Sequence, residues 1–310
     1  LGLSWPVRIQ AVGLGEVTLA QPLRTDVRAD WQPTLYTLEA LSGVGVEHLA
    51  LKFPDTEYAG HLNEPGYNGV FFEDGVVDSW VRGLSFHNAD SGLLVDDLTK
   101  HITGQQLSFT GRQGHHGLNI AHTHDGLYTD LVFDAYFVHH MTVDHRASGN
   151  VFSRVSGEGQ PIHLDHHRDS PFENLWTAIR GEADLINGGS WCAGPPSGAR
   201  STFWGLEAPL IPPYWAHVQT NMVGPSTADQ DELSEHGAWI ERMDEVQPRN
   251  LHLAQRAQRL GLSYEDTGLG EDPPDPAADP TCGCKGGPAA GLGSVLLGLL
   301  ALRRRRHGVS

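Results

Sequence analysis

Short segments in which apolar and polar residues alternate recur along much of the chain, between about residues 46 and 209. Alternation with a period of two is typical of β-strands that bury one face. One apolar position returns at steps of 23, 24, 24, 24 and 27 residues, and it is occupied by Leu84, Leu107, Leu131, Val155, Ile179 and Leu206. Since no helical stripe separates these segments, the period predicts a parallel β-solenoid with these side chains in one internal row.

A second strand in each coil is indicated by a second set of segments, GVFFED, GLLVDD, GLNIAH, HMTVDH and PIHLDH. Their steps of 23, 25, 23 and 21 residues place Val70, Leu93, Leu118, Met141 and Ile162 inside. The 37 glycines and 19 prolines suit a turn-rich β-fold better than a helical bundle. The LxxLxL spacing of leucine-rich repeats does not recur. We therefore expect an all-β fold of about six or seven coils, each of about 24 residues.

This period and composition resemble those of right-handed parallel β-helix proteins of the pectate-lyase-like superfamily, over roughly residues 40–210. The resemblance implies a single-stranded right-handed parallel β-helix with a groove for polysaccharide on its face. It leaves the reaction open, because the superfamily contains lyases, hydrolases, epimerases and adhesins. The NTD triplet and the GHG motif of polygalacturonases are missing from the sequence.

The predicted β-helix domain occupies residues 1–263, and we interpret it as truncated at its N-terminus because no signal peptide precedes it. Near its end, PRNLHLAQRAQRLG carries Leu251, Ala254, Ala257 and Leu260 at helical spacing, which predicts a short amphipathic helix that caps the last coil. Residues 264–280 are acidic and proline-rich, which indicates a disordered linker.

The last segment, residues 281–310, contains two cysteines, an apolar run and four consecutive arginines. This order resembles the MYXO-CTERM sorting signals of myxobacterial surface proteins. The resemblance implies a secreted protein anchored at the bacterial cell surface, on the outer membrane, with Cys282 and Cys284 as the sorting residues. A plain membrane anchor is the alternative interpretation. In both cases only the tail contacts the membrane.

The formal net charge of −17 argues against nucleic acid as a partner, because phosphate backbones are bound by clustered Lys and Arg. A polysaccharide, with or without uronic acid, is the partner we expect, and we expect a monomer. The 3 cysteines are too few for a disulfide framework.

Stacking the second strands places polar side chains in outward columns, with successive coils ~4.8 Å apart. One column contains Asp96, Asp144 and Asp165, and the next contains His122, His145 and His166. Stacked carboxylates repel one another unless a cation, a proton or an imidazolium compensates. A polar, water-exposed face without function is the simpler alternative.

These columns supply the acid, base and cation that a polysaccharide lyase needs, and their carboxylates would also serve a glycoside hydrolase. The predicted catalytic residues are Asp144, His145, Asp165, His166 and Arg168. The predicted substrate-binding residues are His122, His163, Asp96, Asn119 and His167. No cofactor is certain, but Asp144 and Asp165 are placed to share a proton or a Ca²⁺ ion. Zinc held by His122, His145, His166 and Asp165 is disfavoured, because a column gives a line of ligands rather than a tetrahedron.

His139 and His140 flank a strand, and His140 takes the place that glycine holds in three other coils, so both are interpreted as the ordinary start of a strand.

The alternative to an enzyme is a non-catalytic, glycan-binding or adhesive solenoid at the cell surface.

Overall fold

The structure is a computed structural model that describes residues 2–182, 185–188, 197–210, 218–224 and 237–264. These residues form a parallel β-solenoid of about 24 residues per turn, which confirms the fold predicted from the period. About five turns are present, where the sequence predicted six or seven. The acidic linker from residue 265 onward, Cys282 and Cys284 lie outside the described residues.

The larger sheet is built from parallel strands stacked along the solenoid. In spatial order it contains β4 (Gly45–Glu47), β8 (Trp80–His87), β10 (Thr103–Thr110), β12 (Leu127–Phe133), β14 (Val151–Gly157), β16 (Leu175–Gly181), β18 (Thr202–Trp204), β19 (Thr220–Gly224) and β20 (Gly237–Arg242). β5 (Ala50–Lys52) pairs with the second half of β8. The pairs are parallel throughout, as expected when each strand is the next turn of one continuous coil.

The second sheet contains β6 (Asn68–Phe72), β9 (Ser91–Val95), β11 (Gly114–Ala121), β13 (Phe137–Asp144), β15 (Ile162–His166) and β17 (Leu185–Gly188). A third side of the solenoid is formed by single parallel bridges and by the short pair β3 (Leu41–Ser42) and β7 (Val76–Val77). Before the solenoid come an antiparallel hairpin, β1 (Ile9–Gly13) and β2 (Glu16–Leu19), and a 3-10 turn, Ala29–Trp31.

The predicted internal row is confirmed. In the larger sheet, Leu84, Leu107, Leu131, Val155 and Ile179 are paired in register from coil to coil and buried. Leu206 is also buried in the core. In the second sheet, Val70, Leu93, Leu118 and Met141 are in register as predicted.

Aromatic side chains stack along the core in the same direction as the coils. The ring centroids of Phe86 and Phe109 are 5.2 Å apart, and those of Phe109 and Phe133 are 4.6 Å apart. These rings lie over glycines of the second sheet, where a Cβ added to Gly92 would come within 2.4 Å of the Phe109 ring. In the next coil the large and small residues exchange places. Gly157 is in register with Phe133 in the larger sheet, and the buried His140 takes the place of the glycines in the second sheet. His140 is therefore a core residue, but it lies inside β13, which begins at Phe137, so its interpretation as the start of the strand was wrong.

The register of β15 differs from the prediction by two residues. Met141 pairs with Leu164 rather than with Ile162, and Val143 pairs with His166. A slip of two residues keeps every side chain on the same face of a strand, so alternation alone cannot detect it. Ile162 and Leu164 are both fully buried. The polar residues of this rung are consequently shifted relative to the columns drawn from the sequence.

The predicted C-terminal helix is confirmed as α1 (Leu251–Leu260), and it ends at Gly261 in left-handed conformation. Its N-cap residue Asn250 accepts a hydrogen bond from the Leu253 amide at 3.1 Å and donates to Ser153 Oγ at 2.8 Å. The Leu251 amide donates to Thr177 Oγ1 at 3.1 Å. The helix therefore packs on the flank of β14 and β16, rather than over the last coil. No helix in the described part of the chain is long and apolar enough to cross a membrane.

Candidate functional site

The candidate site lies where the strands of the second sheet end and the chain turns toward the third side of the solenoid. β9, β11 and β13 are followed within two residues by residues with positive φ, namely Asp97 at 34°, His122 at 45° and His145 at 45°. Asp and His adopt this left-handed conformation more readily than most residues. Because the same turn recurs in successive coils, the side chains beside it are stacked from coil to coil.

Two imidazoles stack at the centre of this region, and we call His122 and His145 the stacked histidine pair. Their ring centroids are 4.4 Å apart and their planes are inclined by 25°. Nδ1 of His122 is 2.9 Å from Asp96 Oδ1, and Nδ1 of His145 is 3.0 Å from Asp144 Oδ1. Arg168 donates from Nε to Asp144 Oδ2 at 3.1 Å. Carboxylate, imidazole and guanidinium groups thus form one continuous polar series.

The surroundings move the pKa values of the two imidazoles in opposite directions. The hydrogen bond with Asp96 raises the pKa of His122, although burial opposes it. Burial lowers the pKa of His145, although the charge of Asp144 opposes it. At a pH between the two values, His122 carries a proton and His145 does not. A charged imidazole stacked on a neutral one supplies a general acid beside a general base.

The pKa values of the two carboxylates in the series are also shifted in opposite directions. Burial raises the pKa of Asp144, against the attraction of His145 and Arg168. Burial would also raise the pKa of Asp96, but the hydrogen bonds from His122 and the Asp97 amide, together with the charges of His122 and His145, lower that pKa. The side chains of His122, His145 and Arg168 are 33%, 19% and 38% exposed. They are therefore accessible to a ligand on the surface.

Two predicted site residues in β15 are buried rather than exposed. His166, predicted to be catalytic, is fully buried in the core, edge-on to Trp176 with the ring centroids 5.6 Å apart. His163, predicted to bind substrate, is also buried, and its Nδ1 is 3.1 Å from the Phe137 carbonyl oxygen. Both expectations of an outward position are wrong. The zinc arrangement that included His166 is excluded with them.

Asp165 also lies elsewhere than the sequence predicted. It is paired with Thr142 rather than with Asp144, and its side chain is fully buried. Its Oδ2 accepts from Thr142 Oγ1 at 3.3 Å and from His167 Nδ1 at 3.1 Å. The predicted column in which Asp144 and Asp165 share a proton or a Ca²⁺ ion is therefore wrong. His167 takes the place beside Asp144, since the His167 amide donates to the Val143 carbonyl at 2.9 Å.

The remaining predicted residue, Asn119, lies half-buried in β11 in register with Thr142. Its Oδ1 is buried, and among the described residues it has no hydrogen-bond partner. Asn119 lies in the same outward column as Thr142, one coil nearer the start of the solenoid. Its side chain is thus on the same face as Asp165, as the alternation predicted.

A second group of residues, which we call the histidine–aspartate cluster, contains His61, His115, His116, His139, Asp165 and His167. Asp165 and His167 were predicted site residues, but the sequence analysis did not assign the other four histidines to a site. The ring centroids of His61 and His115 are 4.6 Å apart, those of His116 and His139 are 5.1 Å apart, and those of His139 and His167 are 4.8 Å apart. His139 lies inside β13, which begins at Phe137, so its interpretation as an ordinary start of a strand was wrong. Three adjacent histidine pairs, at 115–116, 139–140 and 166–167, were the available signal.

A loop before β6 brings His61 to this cluster. Tyr58 donates to Glu64 Oε1 at 2.6 Å, and the same oxygen is 3.4 Å from His115 Nδ1. The loop is held at its other end by Asp90, whose Oδ2 accepts from the Tyr67 amide at 2.7 Å. Burial lowers the pKa of His115 to about 4, although the charge of Glu64 opposes it. The cluster therefore combines neutral imidazole with carboxylate.

The fold and the site do not lead to a known family by similarity. Comparison of the chain with protein-family models, with curated proteins and with solved structures gives no match.

Proposed function

We propose that the protein is a polysaccharide-active enzyme that cleaves a uronic-acid-containing glycan by elimination at the stacked histidine pair. The proposal rests on the stack of His122 on His145. In this stack the pKa of His122 is raised and the pKa of His145 is lowered. Elimination requires a base for the proton next to a carboxylate, an acid for the leaving oxygen and a cation for the carboxylate. His145, His122 and Arg168 are of the right types.

In the proposed reaction, neutral His145 removes the proton from the carbon that carries the uronic carboxylate. The electron pair of that C–H bond becomes a carbon–carbon double bond, and the bond to the glycosidic oxygen breaks. His122 gives its proton to that oxygen as it leaves. Arg168 holds the carboxylate, since its bond to Asp144 uses Nε and the guanidinium carries further N–H donors.

Hydrolysis fits the site less well. A glycoside hydrolase of the usual type places two carboxyl groups on either side of the scissile bond, about 5 Å or about 6.5–9.5 Å apart. Here Asp96 is engaged with His122, and Asp144 is engaged with Arg168 and beside His145. Imidazoles, rather than paired carboxyl groups, are the accessible acid and base.

The parallel β-solenoid supports the proposal at the level of architecture, because it is the architecture of the pectate-lyase-like proteins that the sequence resembles. Its long face offers a sugar chain several successive coils. We extend the proposal to location: the protein is secreted and held at the cell surface by residues 281–310. If this segment is a sorting signal, Cys282→Ser with Cys284→Ser should release the protein or leave it unprocessed. Unchanged surface retention would contradict this part.

The test of the reaction is incubation of the full chain with a panel of uronic-acid and neutral polysaccharides. Two products are measured, unsaturated uronic ends by ultraviolet absorbance and new reducing ends. Elimination produces both, hydrolysis produces reducing ends alone, and a glycan-binding solenoid produces neither while retaining affinity for one polysaccharide. The last two outcomes would each overturn the proposal.

Variants localise the chemistry. His145→Ala and His122→Ala should each lower turnover by on the order of 10²-fold or more. The matched control is His101→Ala, because His101 is likewise exposed and its Nδ1 is 2.8 Å from Asp78 Oδ1 outside the candidate site. Full activity in both site variants would place the chemistry elsewhere on the solenoid.

A further inference from the structure

The histidine–aspartate cluster contains buried polar atoms that the described residues leave without a partner. Asp165 is fully buried, and its Oδ1 has no hydrogen-bond partner among the described residues. Nε2 of His139 is buried and lacks one in the same way. A buried carboxylate oxygen without a partner is costly. Both atoms belong to side chains that already converge on one point.

That point lies between His139, Asp165 and His167. Nδ1 of His139 is 2.8 Å from Asp165 Oδ2, and Nδ1 of His167 is 3.1 Å from the same oxygen. One potential ligand atom from each of the three side chains lies within 4.8 Å of the others. Around a tetrahedral ion with bonds of about 2.0–2.1 Å, neighbouring ligand atoms are about 3.4 Å apart. The two contacts of Asp165 with His139 and His167 therefore need to lengthen by only about half an ångström to admit an ion.

The kinds of ligand select the kind of ion. Ca²⁺ and Mg²⁺ prefer shells of oxygen ligands, whereas imidazole suits zinc and the other first-row transition metals. Two histidines with one carboxylate is a recurrent set for such ions in catalytic sites, where a position stays open for water or substrate. A second triad, His61, His115 and His139, meets the same distance limit and shares His139 with the first. Two further imidazoles, those of His61 and His115, therefore lie near the first triad.

Elements of different coils hold the three side chains in place. His139 comes from β13, and Asp165 and His167 come from β15 and the turn after it. Thr142 Oγ1 donates to the same Asp165 oxygen at 3.3 Å, which orients the carboxylate from outside the triad. Such a bond to a ligating carboxylate is usual in metal sites. The contacts of Asp165 with His139, His167 and Thr142 are thus separate from the acid–base series.

We propose that His139, Asp165 and His167 bind one divalent transition-metal ion, for which Zn²⁺ is the probe, with His61 and His115 beside it. The site does not depend on the proposed elimination reaction. It remains a metal site whether the solenoid is an enzyme or a glycan-binding protein.

The experiment uses the full 310-residue chain without a histidine tag, stripped of metal by a chelator. Thiolates are good zinc ligands in general, so the protein carries C192S, C282S and C284S throughout. Bound metal is measured by elemental analysis after dialysis against Zn²⁺ or against Ca²⁺, and affinity by competition with a chelating dye. We expect one Zn²⁺ per chain, no retained Ca²⁺, and a thermal midpoint that rises in Zn²⁺.

Asp165→Asn and His167→Ala should each weaken Zn²⁺ binding by about 10²-fold or more, and His101→Ala should leave it unchanged. His167, with a side chain 17% exposed, is the safer variant if loss of the fully buried Asp165 carboxylate prevents folding. Folding is checked by far-ultraviolet circular dichroism. Failure of the cysteine-free chain to retain Zn²⁺, preference for Ca²⁺, or unchanged affinity in His167→Ala would each overturn the proposal. Activity on polysaccharide is not part of the readout, so this result is separate from that of the proposed function.

Discussion

Replacing Phe109 with alanine removes the middle ring of the aromatic stack in the core. Phe109 is fully buried, between Phe86 at 5.2 Å and Phe133 at 4.6 Å, and edge-on to Phe137 at 5.9 Å. Gly92 lies directly beside the ring and has no side chain that could fill the space. The cavity left by the substitution would therefore persist, because neither sheet can collapse into it without breaking the coil register.

The size of the effect follows from the burial of the Phe109 ring and from its stacking on two neighbours. Complete burial of a phenylalanine contributes about 2–3 kcal/mol, and each of the two stacked rings adds about 1 kcal/mol. Together these give about 4 kcal/mol, within the roughly 3–5 kcal/mol observed for Phe to Ala changes in protein cores. In a solenoid each coil is stabilised mainly by its neighbours, so the destabilisation falls on the coils around β10.

The assay is equilibrium unfolding in urea, followed by circular dichroism and by tryptophan fluorescence. Phe71→Ala is the matched control, because Phe71 lies on the outward side of β6 and is 48% exposed. We expect the control to change stability by no more than about 0.5 kcal/mol. A loss below about 2 kcal/mol in Phe109→Ala, or an equal loss in both variants, would refute the aromatic stack as a major source of stability.

Other predictions concern charge and burial. Asp96→Asn should lower the pKa of His122, and the alkaline limb of the pH–activity profile should therefore move to lower pH; an unmoved limb would exclude His122 as the acid. Asp125 has a lowered pKa, because the charges of Arg24 and Lys100 and the hydrogen bonds from Arg24 and Gln21 together outweigh burial. It therefore stabilises the fold above its ordinary pKa of about 4 and loses this effect as pH falls through its lower folded value. Asp125→Asn should cost about 3 kcal/mol at pH 7 in urea unfolding, with the difference vanishing in acid. His166→Ala should lower the thermal midpoint and leave the shape of the pH profile unchanged, because His166 lies in the core.

The solenoid was predictable because its period is a property of the sequence alone. Leu84, Leu107 and Leu131 recur at nearly constant steps, and a constant step with alternating strands admits few folds other than stacked coils. The helix α1 was predictable for a similar reason, since its apolar spacing and terminal glycine are local signals. Where α1 packs depends on contacts with Ser153 and Thr177, which no local pattern specifies.

The site was predicted in part. Asp144, His145 and His122 lie together as the columns indicated, because the coils before β15 keep the expected step. In the next rung the alternation of Ile162 and Leu164 fits two registers equally well, so the polar residues that follow could not be assigned.

The histidine–aspartate cluster shows a different limit. His61 lies in the loop that joins β5 of the larger sheet to β6 of the second sheet, and its contacts with His115 and His139 join segments far apart in the chain. Periodicity gives the positions of strands but no information about where an intervening loop lies over the surface. Only the fold, together with the hydrogen bond of Tyr58 to Glu64, brings these groups into one cluster.

The most direct test of the acid–base account is a titration of the histidine rings in the full chain by NMR, in metal-free buffer. The signals of His122 and His145 are assigned by comparison with His122→Ala and His145→Ala. We expect the pKa of His122 to lie above the ordinary histidine value of about 6.5 and the pKa of His145 to lie below it. Titration of both rings at the ordinary value, or in the reverse order, would contradict the claim that this stack holds a general acid beside a general base.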